Sequence, residues 1–262
     1  MAHITAEDLS LHFPIYSATA RSMKRVLLNL SAGGRINKEA SRIVVEALKS
    51  LNFELRDGDR LGLIGHNGAG KTSLLRVLSG IYAPTMGRLR VEGRVSSLLD
   101  VTLGLQPNAT GYENIMLRGL FLGMSPSEVR AKMDAIAEFS ELGEYLNLQT
   151  RTYSAGMVLR LAFSVATSIQ PEIVLMDEWI ATGDAQFIRK AELRLNEMIE
   201  SSRIFVLASH SPDLIRRFCN KTMTLEKGRL VSLEAIEGAT EPASEESAAS
   251  RGISQTTHGA GL

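Results

Sequence analysis

Residues 65–72, Gly65-His66-Asn67-Gly68-Ala69-Gly70-Lys71-Thr72, follow the spacing G-x-x-x-x-G-K-T. That spacing suits the phosphates of a nucleoside triphosphate. The glycines let consecutive backbone N–H groups converge on an anion, and the N-terminus of a following helix adds its partial positive charge. Lys71 is expected to reach the β- and γ-phosphates, and the Thr72 hydroxyl to ligate Mg²⁺. The expected nucleotide-binding run is Gly65, His66, Asn67, Gly68, Ala69, Gly70, Lys71, Thr72 and Ser73. A Gly-rich turn can arise by chance, so the flanks matter. Leu61-Gly62-Leu63-Ile64 is an apolar run of strand length, and Leu74, Leu75 and Leu78 follow at helical spacing. Strand, turn and helix is the context the motif requires.

Four more groups have types suited to the same chemistry. Ile173-Val174-Leu175-Met176-Asp177-Glu178 ends a short apolar strand with two carboxylates. Asp177 would hold the Mg²⁺ shell, and Glu178 would polarise a water in line with the γ-phosphate. Tyr153-Ser154-Ala155-Gly156-Met157 is a Ser-x-Gly turn entering a helix, either a simple cap or a second anion site. Ser209-His210 follows another apolar strand, where a histidine is either structural or able to reach the γ-phosphate. Gly183-Asp184 comes shortly after Asp177.

The elements that must position these groups follow from periodicity. Ile4 to Phe13 and Ala47 to Leu55 read as strands, and Asp57-Gly58-Asp59 turns into the strand before the phosphate loop. Arg88 to Leu99 reads as strand, broken at Gly93. Ser125-Pro126-Ser127-Glu128 is a capping box with Pro at the first helical position, opening a helix through Val129, Met133 and Ile136. Met157 to Ile169 reads as a helix closed by Pro171. Ile173–Met176 and Ile204–Ala208 are fully apolar, as in strands of a parallel sheet covered on both faces. Residues 17–42 read as an insertion. In it Met23, Val26, Leu27 and Leu30 form a short amphipathic helix among basic residues, suited either to packing on its own domain or to a membrane or membrane partner.

Composition narrows the partners. The chain has 262 residues and formal net charge zero, with 44% hydrophobic residues. No bulk field points to nucleic acid or to an anionic surface. From Glu234 onward there are five acidic residues and one basic, which leaves the body at about +4. Cys219 is the only cysteine, so no intramolecular disulfide forms. The N-terminus lacks a basic start and an apolar run, and no stretch reaches the ~18 apolar residues of a membrane span. From about Ala235 the sequence is rich in Gly, Ala, Ser, Thr and Glu, and is expected to be disordered.

Taken in order, GHNGAGKT, YSAGM, IVLMDE, GD and SH resemble the nucleotide-binding subunits of ABC transporters, over about residues 3–233. YSAGM stands where that family has its LSGGQ signature. The text YSAGMVLRLAFSVA, with DEWIATGDAQF, Gly111-Tyr112-Glu113-Asn114 and the insertion, is most similar to the ATPases that export O-antigen, capsule and teichoic-acid chains. The resemblance implies an α/β P-loop NTPase (RecA-like) core with a mixed sheet, an antiparallel β subdomain and a helical signature subdomain at about 102–168. These make one nucleotide-binding domain over 1–234, with a tail over 235–262. It implies ATP and Mg²⁺, a head-to-tail homodimer and a separate membrane permease, at the cytoplasmic face of the membrane.

Each ATP would lie between one subunit's phosphate loop and the other's signature. Phe13 would stack on adenine, with Tyr16 in reserve. Ser154 and Gly156 would contact the γ-phosphate in trans, His210 would be the switch histidine, and Asp184 would line the dimer interface. Glu178, His210 and Lys71 are the expected catalytic residues, and Thr72 and Asp177 the metal ligands. The family's usual Gln ahead of the helical subdomain is missing: its position falls at Val101 beside Asp100, with Gln106 out of register. Asp100 and Gln106 are the candidates to replace it. ATP rather than GTP follows from the resemblance. Asn37-Lys38-Glu39-Ala40 begins like a guanine-selecting motif but lacks its Asp. With only a short tail after the ATPase, this chain is not expected to bind the polysaccharide itself. The other readings are an exporter of lipid or drug, and a non-transport ABC ATPase acting on ribosomes or DNA. Against the latter stand the single cassette and the lack of a heptad run or a strongly basic face.

Overall fold

The computed structural model describes residues 1–15, 43–178 and 185–236. The amphipathic stretch around Met23–Leu30, Tyr16, Asp184 and residues 237–262 lie outside the described residues.

Two sheets build the described chain. In the smaller, β1 (His3–Ile15) lies between β2 (Ile43–Arg56) and β4 (Met86–Glu92), antiparallel to both. Along β1 the buried residues change phase, from Ile4 and Ala6 to Leu9 and Leu11. A strand of period two cannot do that without an extra residue. Asp8, at φ 48°, marks the bulge between Ala6 and Leu9, where the register with β2 shifts.

The turn at 57–59 is held by a largely buried Asp59, which accepts from Arg56 N–H at 2.9 Å and pairs with Lys221 Nζ at 2.6 Å. It delivers the chain to β3 (Arg60–Ile64) at the interior of the larger sheet. That sheet runs β5 (Val95–Ser97), β6 (Ile173–Asp177), β7 (Ile204–Ala208), β3, β8 (Lys221–Glu226), β9 (Arg229–Ala235). The first five are parallel, and β9 returns antiparallel to β8. The break at Gly93 (φ 116°) is where the chain leaves the antiparallel sheet for the parallel one. The regular structure extends slightly past the expected boundary at 234: β9 reaches Ala235, and Ile236 N–H donates to the Asn220 carbonyl at 2.8 Å.

β6 and β7 are buried on both faces, as their apolar runs predict. Ile173, Leu175, Ile204 and Val206 enter one core with β1–β3 and α1 (Lys71–Leu78). Val174, Met176, Phe205 and Leu207 enter the other, with the helices between β5 and β6. These are α2 (Gly111–Phe121), α3 (Pro126–Ser140) and α4 (Ala155–Ala166). The Ser125–Glu128 capping box forms with Pro126 at its start. Helix α4 stops at Ala166, earlier than the expected Ile169. Thr167 and Ser168 turn their hydroxyls back onto the Phe163 and Val165 carbonyls, and such side chains compete with helix propagation. Helices α5 (Ala185–Ser201) and α6 (Pro212–Phe218) complete the fold.

The Gly111–Asn114 text has a local cause. Thr110 and Glu113 form a capping box that starts α2. Asn114, fully buried, accepts from Gln106 N–H at 2.6 Å and donates to the Gln106 carbonyl at 3.0 Å and Thr150 Oγ1 at 3.2 Å. One amide thus ties the segment after β5 to the approach to α4. Replacing Asn114 with Ala leaves several buried polar groups unpaired, and should lower unfolding stability by about 2–4 kcal/mol. A denaturant midpoint unchanged from the parent would rule out this clamp.

Candidate active site

The phosphate loop leaves β3 and closes on α1. Gly70 caps α1 in a left-handed conformation, φ 112°, and a Cβ there would lie 2.9 Å from the Ala47 carbonyl oxygen. Only glycine meets both demands. At the other end, a Cβ on Gly65 would lie 2.4 Å from the Leu225 carbonyl, so the loop is pressed against β8. Gly68 has open space above it.

Inside this wrap Lys71 is nearly buried, and its ammonium is satisfied by the loop. Nζ donates to the Gly65 carbonyl at 2.7 Å, and lies 3.4 Å from the His66 carbonyl and 3.3 Å from His210 Nε2. Next to it, Thr72 Oγ1 donates to Asp177 Oδ2 at 2.6 Å. The loop after β3 and the end of β6 are therefore in direct contact, although 105 residues separate Thr72 and Asp177.

Glu178 leaves β6 with φ 65°, a strained conformation for a non-glycine residue. Its N–H donates to the Ala208 carbonyl at 2.8 Å, which joins the ends of β6 and β7. Ser209 Oγ donates to Glu178 Oε2 at 3.4 Å, and His210 Nε2 is 4.0 Å from Oε1. His210 thus stands between the ammonium of Lys71 and the carboxylate of Glu178.

These groups open onto a cavity of about 730 Å³. Its floor is Asn67 to Ser73, with Asp177, Glu178 and His210 on one wall. Phe13, Val45, Glu46 and Ala47 also line it. Phe13 pairs with Val45 across β1 and β2, and meets Tyr82 edge-on with ring centroids 5.3 Å apart. A cavity of this size, with a cationic floor and an aromatic wall, fits a nucleoside triphosphate. Hydroxyl and carboxylate oxygens converging at Thr72 and Asp177 suit a hard cation such as Mg²⁺. Among the described residues no three His, Cys, Asp or Glu side chains form a cluster able to cage a metal by themselves.

Several sequence candidates lie elsewhere. The Ser154 side chain caps α4 by accepting from Met157 N–H at 3.3 Å, and Ser154 and Gly156 are exposed and take no part in the cavity. Gly65 and His66 shape the loop through their carbonyls without lining the cavity. Neither Asp100 nor Gln106 lines it; Leu99 does. Asp100 Oδ1 instead accepts from Thr102 N–H and Oγ1 at 3.1 and 2.7 Å. The wall residues Val45, Glu46, Ala47 and Leu99 were not legible as site residues. Their only signal is register, since Val45 faces Phe13 across the ladder. Cys219 is buried, which pushes its thiol up to about 12, and it packs beneath Gly62 as a structural residue.

Comparison with known proteins decides the family. Residues 48–181 match the family model described as ABC transporter. The chain belongs to the ABC transporter family. This ABC cassette is similar to the O-antigen export system ATP-binding protein RfbE of Yersinia enterocolitica, 46% identical over 87% of the chain and 96% of the relative. It is 41% identical to the O-antigen export system ATP-binding protein RfbB of Myxococcus xanthus, over 79% of the chain but 47% of that longer protein. It is 38% identical to the teichoic acids export ATP-binding protein TagH of Lactococcus lactis, over 70% of the chain and 39% of that protein. Its fold matches a dimeric ATP-binding cassette in a post-hydrolysis state bound to ADP and Pi, with TM-score 0.65 and 19% identity over 90% of this chain and 99% of that one. As a member of the family this chain is an ATP-binding and ATP-hydrolysing enzyme.

The loop geometry has a measurable consequence. Gly70→Ala forces a side chain into a left-handed backbone against the Ala47 carbonyl. Nucleotide affinity, measured by fluorescent ATP-analogue titration, should fall at least ~10-fold, with stability lowered by about 1–3 kcal/mol. Unchanged affinity would show that the loop does not need this conformation.

Proposed function

We propose that the chain is the ATP-hydrolysing motor of an exporter that moves lipid-linked polysaccharide across the cytoplasmic membrane, working with a separate permease. The observation that carries this reading is the division of the site. Lys71, Thr72, Asp177, Glu178 and His210 share one cavity, whereas the Ser154–Gly156 helix start is exposed and outside it. An exposed helix N-terminus of this kind can take an anion, and suits the γ-phosphate held by a second copy.

In this reading the loop amides and Lys71 bind the phosphates, Lys71 exchanging its loop carbonyls for phosphate oxygens. Phe13 stacks on the base. Thr72 and Asp177 would hold Mg²⁺, which when bound would supply positive charge to the phosphates. Glu178 orients the attacking water and accepts its proton. His210, next to both Lys71 and Glu178, donates to the γ-phosphate. Ser154 and Gly156 of the second copy close the site. ATP binding closes the dimer, and hydrolysis and release open it. Among the described residues no helix is long and apolar enough to cross a membrane. The chain then acts at the cytoplasmic face through the permease, whose helices carry the cargo.

The polysaccharide cargo rests on the export functions printed for the O-antigen and teichoic-acid relatives, and no observation favours lipid, drug, ribosome or DNA. Glu178→Gln should lower steady-state ATPase turnover at least ~100-fold, keep ATP affinity within about threefold, and accumulate as a dimer in ATP. Turnover near the parent's would remove Glu178 from its role. A strain lacking the chain should retain lipid-linked polysaccharide on the inner face of the membrane. Normal surface display in that strain would overturn the cargo assignment.

A further inference from the structure

Residues 79–85, between α1 and β4, tie the helix that starts at the phosphate loop to the strand that carries Phe13. The attachment to α1 is made at one carbonyl. That of Arg76 accepts from Ile81 N–H at 2.9 Å, from Tyr82 N–H at 3.1 Å and from the Ser79 hydroxyl at 3.0 Å. The attachment to β1 is made by Thr85. Its N–H and its hydroxyl both donate to the Ser10 carbonyl, at 2.8 and 3.0 Å, and Oγ1 accepts from His12 N–H at 3.1 Å. The second set of bonds ends one residue before Phe13.

Tyr82 sits between these two attachments. Its ring meets that of Phe13 at 75°, with centroids 5.3 Å apart, and does not itself line the cavity. On its other side Arg76 Nη1 donates to Tyr82 Oη at 3.4 Å, and the guanidinium carbon lies 5.8 Å from the ring centroid. Edge-on aromatic pairs at such a separation are attractive and directional. Phe13 has little else to orient it. It is half-buried near the end of β1, and Val45, its partner across the ladder, is 46% exposed. Among the described residues Tyr82 is the one ring in contact with it. A loosely held ring loses rotational freedom when a base stacks on it, which lowers affinity. One neighbour at right angles restrains the ring and still leaves a face open to a planar base.

We propose that Tyr82 is a positioning residue for nucleotide binding. It presets the Phe13 ring for the base and, through Arg76 on α1, fixes that ring relative to the phosphate loop. A nucleoside triphosphate carries its base and its γ-phosphate at opposite ends. The turn at 79–85 therefore sets the span between the two ends of the site, and Tyr82 is the side chain that passes this span on to the stacking ring. Tyr82 touches no part of the nucleotide; its effect is exerted wholly through Phe13. This rests on the reading that Phe13 stacks on the base.

The test is a double-mutant cycle on the full chain, with the Kd for ATP in excess Mg²⁺ measured by calorimetry. Tyr82→Ala should weaken ATP binding about three- to tenfold, the range expected for loss of an edge-on ring pair. Tyr82→Leu keeps apolar volume but no ring and should show the same loss, so a folding defect in the alanine variant does not hide the result. Tyr82→Phe keeps the ring and should bind within about twofold of the parent. Phe13→Ala should weaken binding at least ~10-fold, as loss of base stacking does. Adding Tyr82→Ala to Phe13→Ala should then change the Kd by less than about twofold, because partners that act through one another are not additive. A Tyr82→Ala loss that persists at full size in the Phe13→Ala background marks a merely structural residue and overturns the proposal alone. So does parent-like binding by both Tyr82→Ala and Tyr82→Leu while Phe13→Ala is weakened. Parent-like binding by Phe13→Ala removes the stacking reading, and this inference with it.

Discussion

A lysine ammonium held almost out of solvent needs acceptors, and the phosphate loop supplies them by bending around it. Lys71 Nζ takes the Gly65 carbonyl at 2.7 Å, and the loop can turn back far enough only because Gly70 adopts a left-handed backbone beneath the Ala47 carbonyl. That contact fixes where β2 must run. It also fixes β8, since Gly65 lies against the Leu225 carbonyl, and the hairpin at Gly228, whose carbonyl accepts from Lys49 N–H at 2.8 Å. Both sheets are thus registered against one charged group. Thr72 and Asp177 extend the registration across the parallel sheet to β6. In the proposed binding mode the ammonium exchanges these carbonyl partners for phosphate oxygens, so its charge stays paired.

Burial on two faces explains the larger sheet. Alternate residues of β6 and β7 enter different cores, so each strand joins the nucleotide-side layer to the layer of helices α2–α4. Residues at the ends of these strands, Asp177, Glu178 and Ser209-His210, are thereby brought to one edge of the sheet, where Glu178 N–H donates to the Ala208 carbonyl. Helix α4 is attached differently. It is reached through the Asn114 clamp and the segment from Leu98 to Gln106, so its position follows from loop contacts as much as from the sheet.

The sequence was most legible where chemistry dictates residue type. The phosphate loop, the carboxylates at the end of β6, the histidine after β7 and the capping box at Ser125 are all fixed by short-range rules, and each occurs where those rules put it. Boundaries set by competition were less so. The end of α4 depends on Thr167 and Ser168 turning back onto the helix, and the phase change in β1 depends on a bulge at Asp8. The wall of Val45, Glu46 and Ala47 was illegible because it arises from register between strands whose partners are far apart in the chain. Arg118 on α2 (Gly111–Phe121) is a related case: an arginine on a helix is ordinarily solvent-facing, and only tertiary packing reveals that this one is enclosed.

The backbone of Glu178, at φ 65°, sets stability against activity at a single codon. Glycine, and to a lesser degree asparagine or aspartate, would relax that conformation. None of them carries a carboxylate as far from the main chain as glutamate does. Under the role proposed for Glu178, replacement by the more comfortable residue would yield a sturdier protein that binds ATP and turns it over poorly. If Glu178 has the proposed role in hydrolysis, a stability screen applied to this chain would enrich for slow variants.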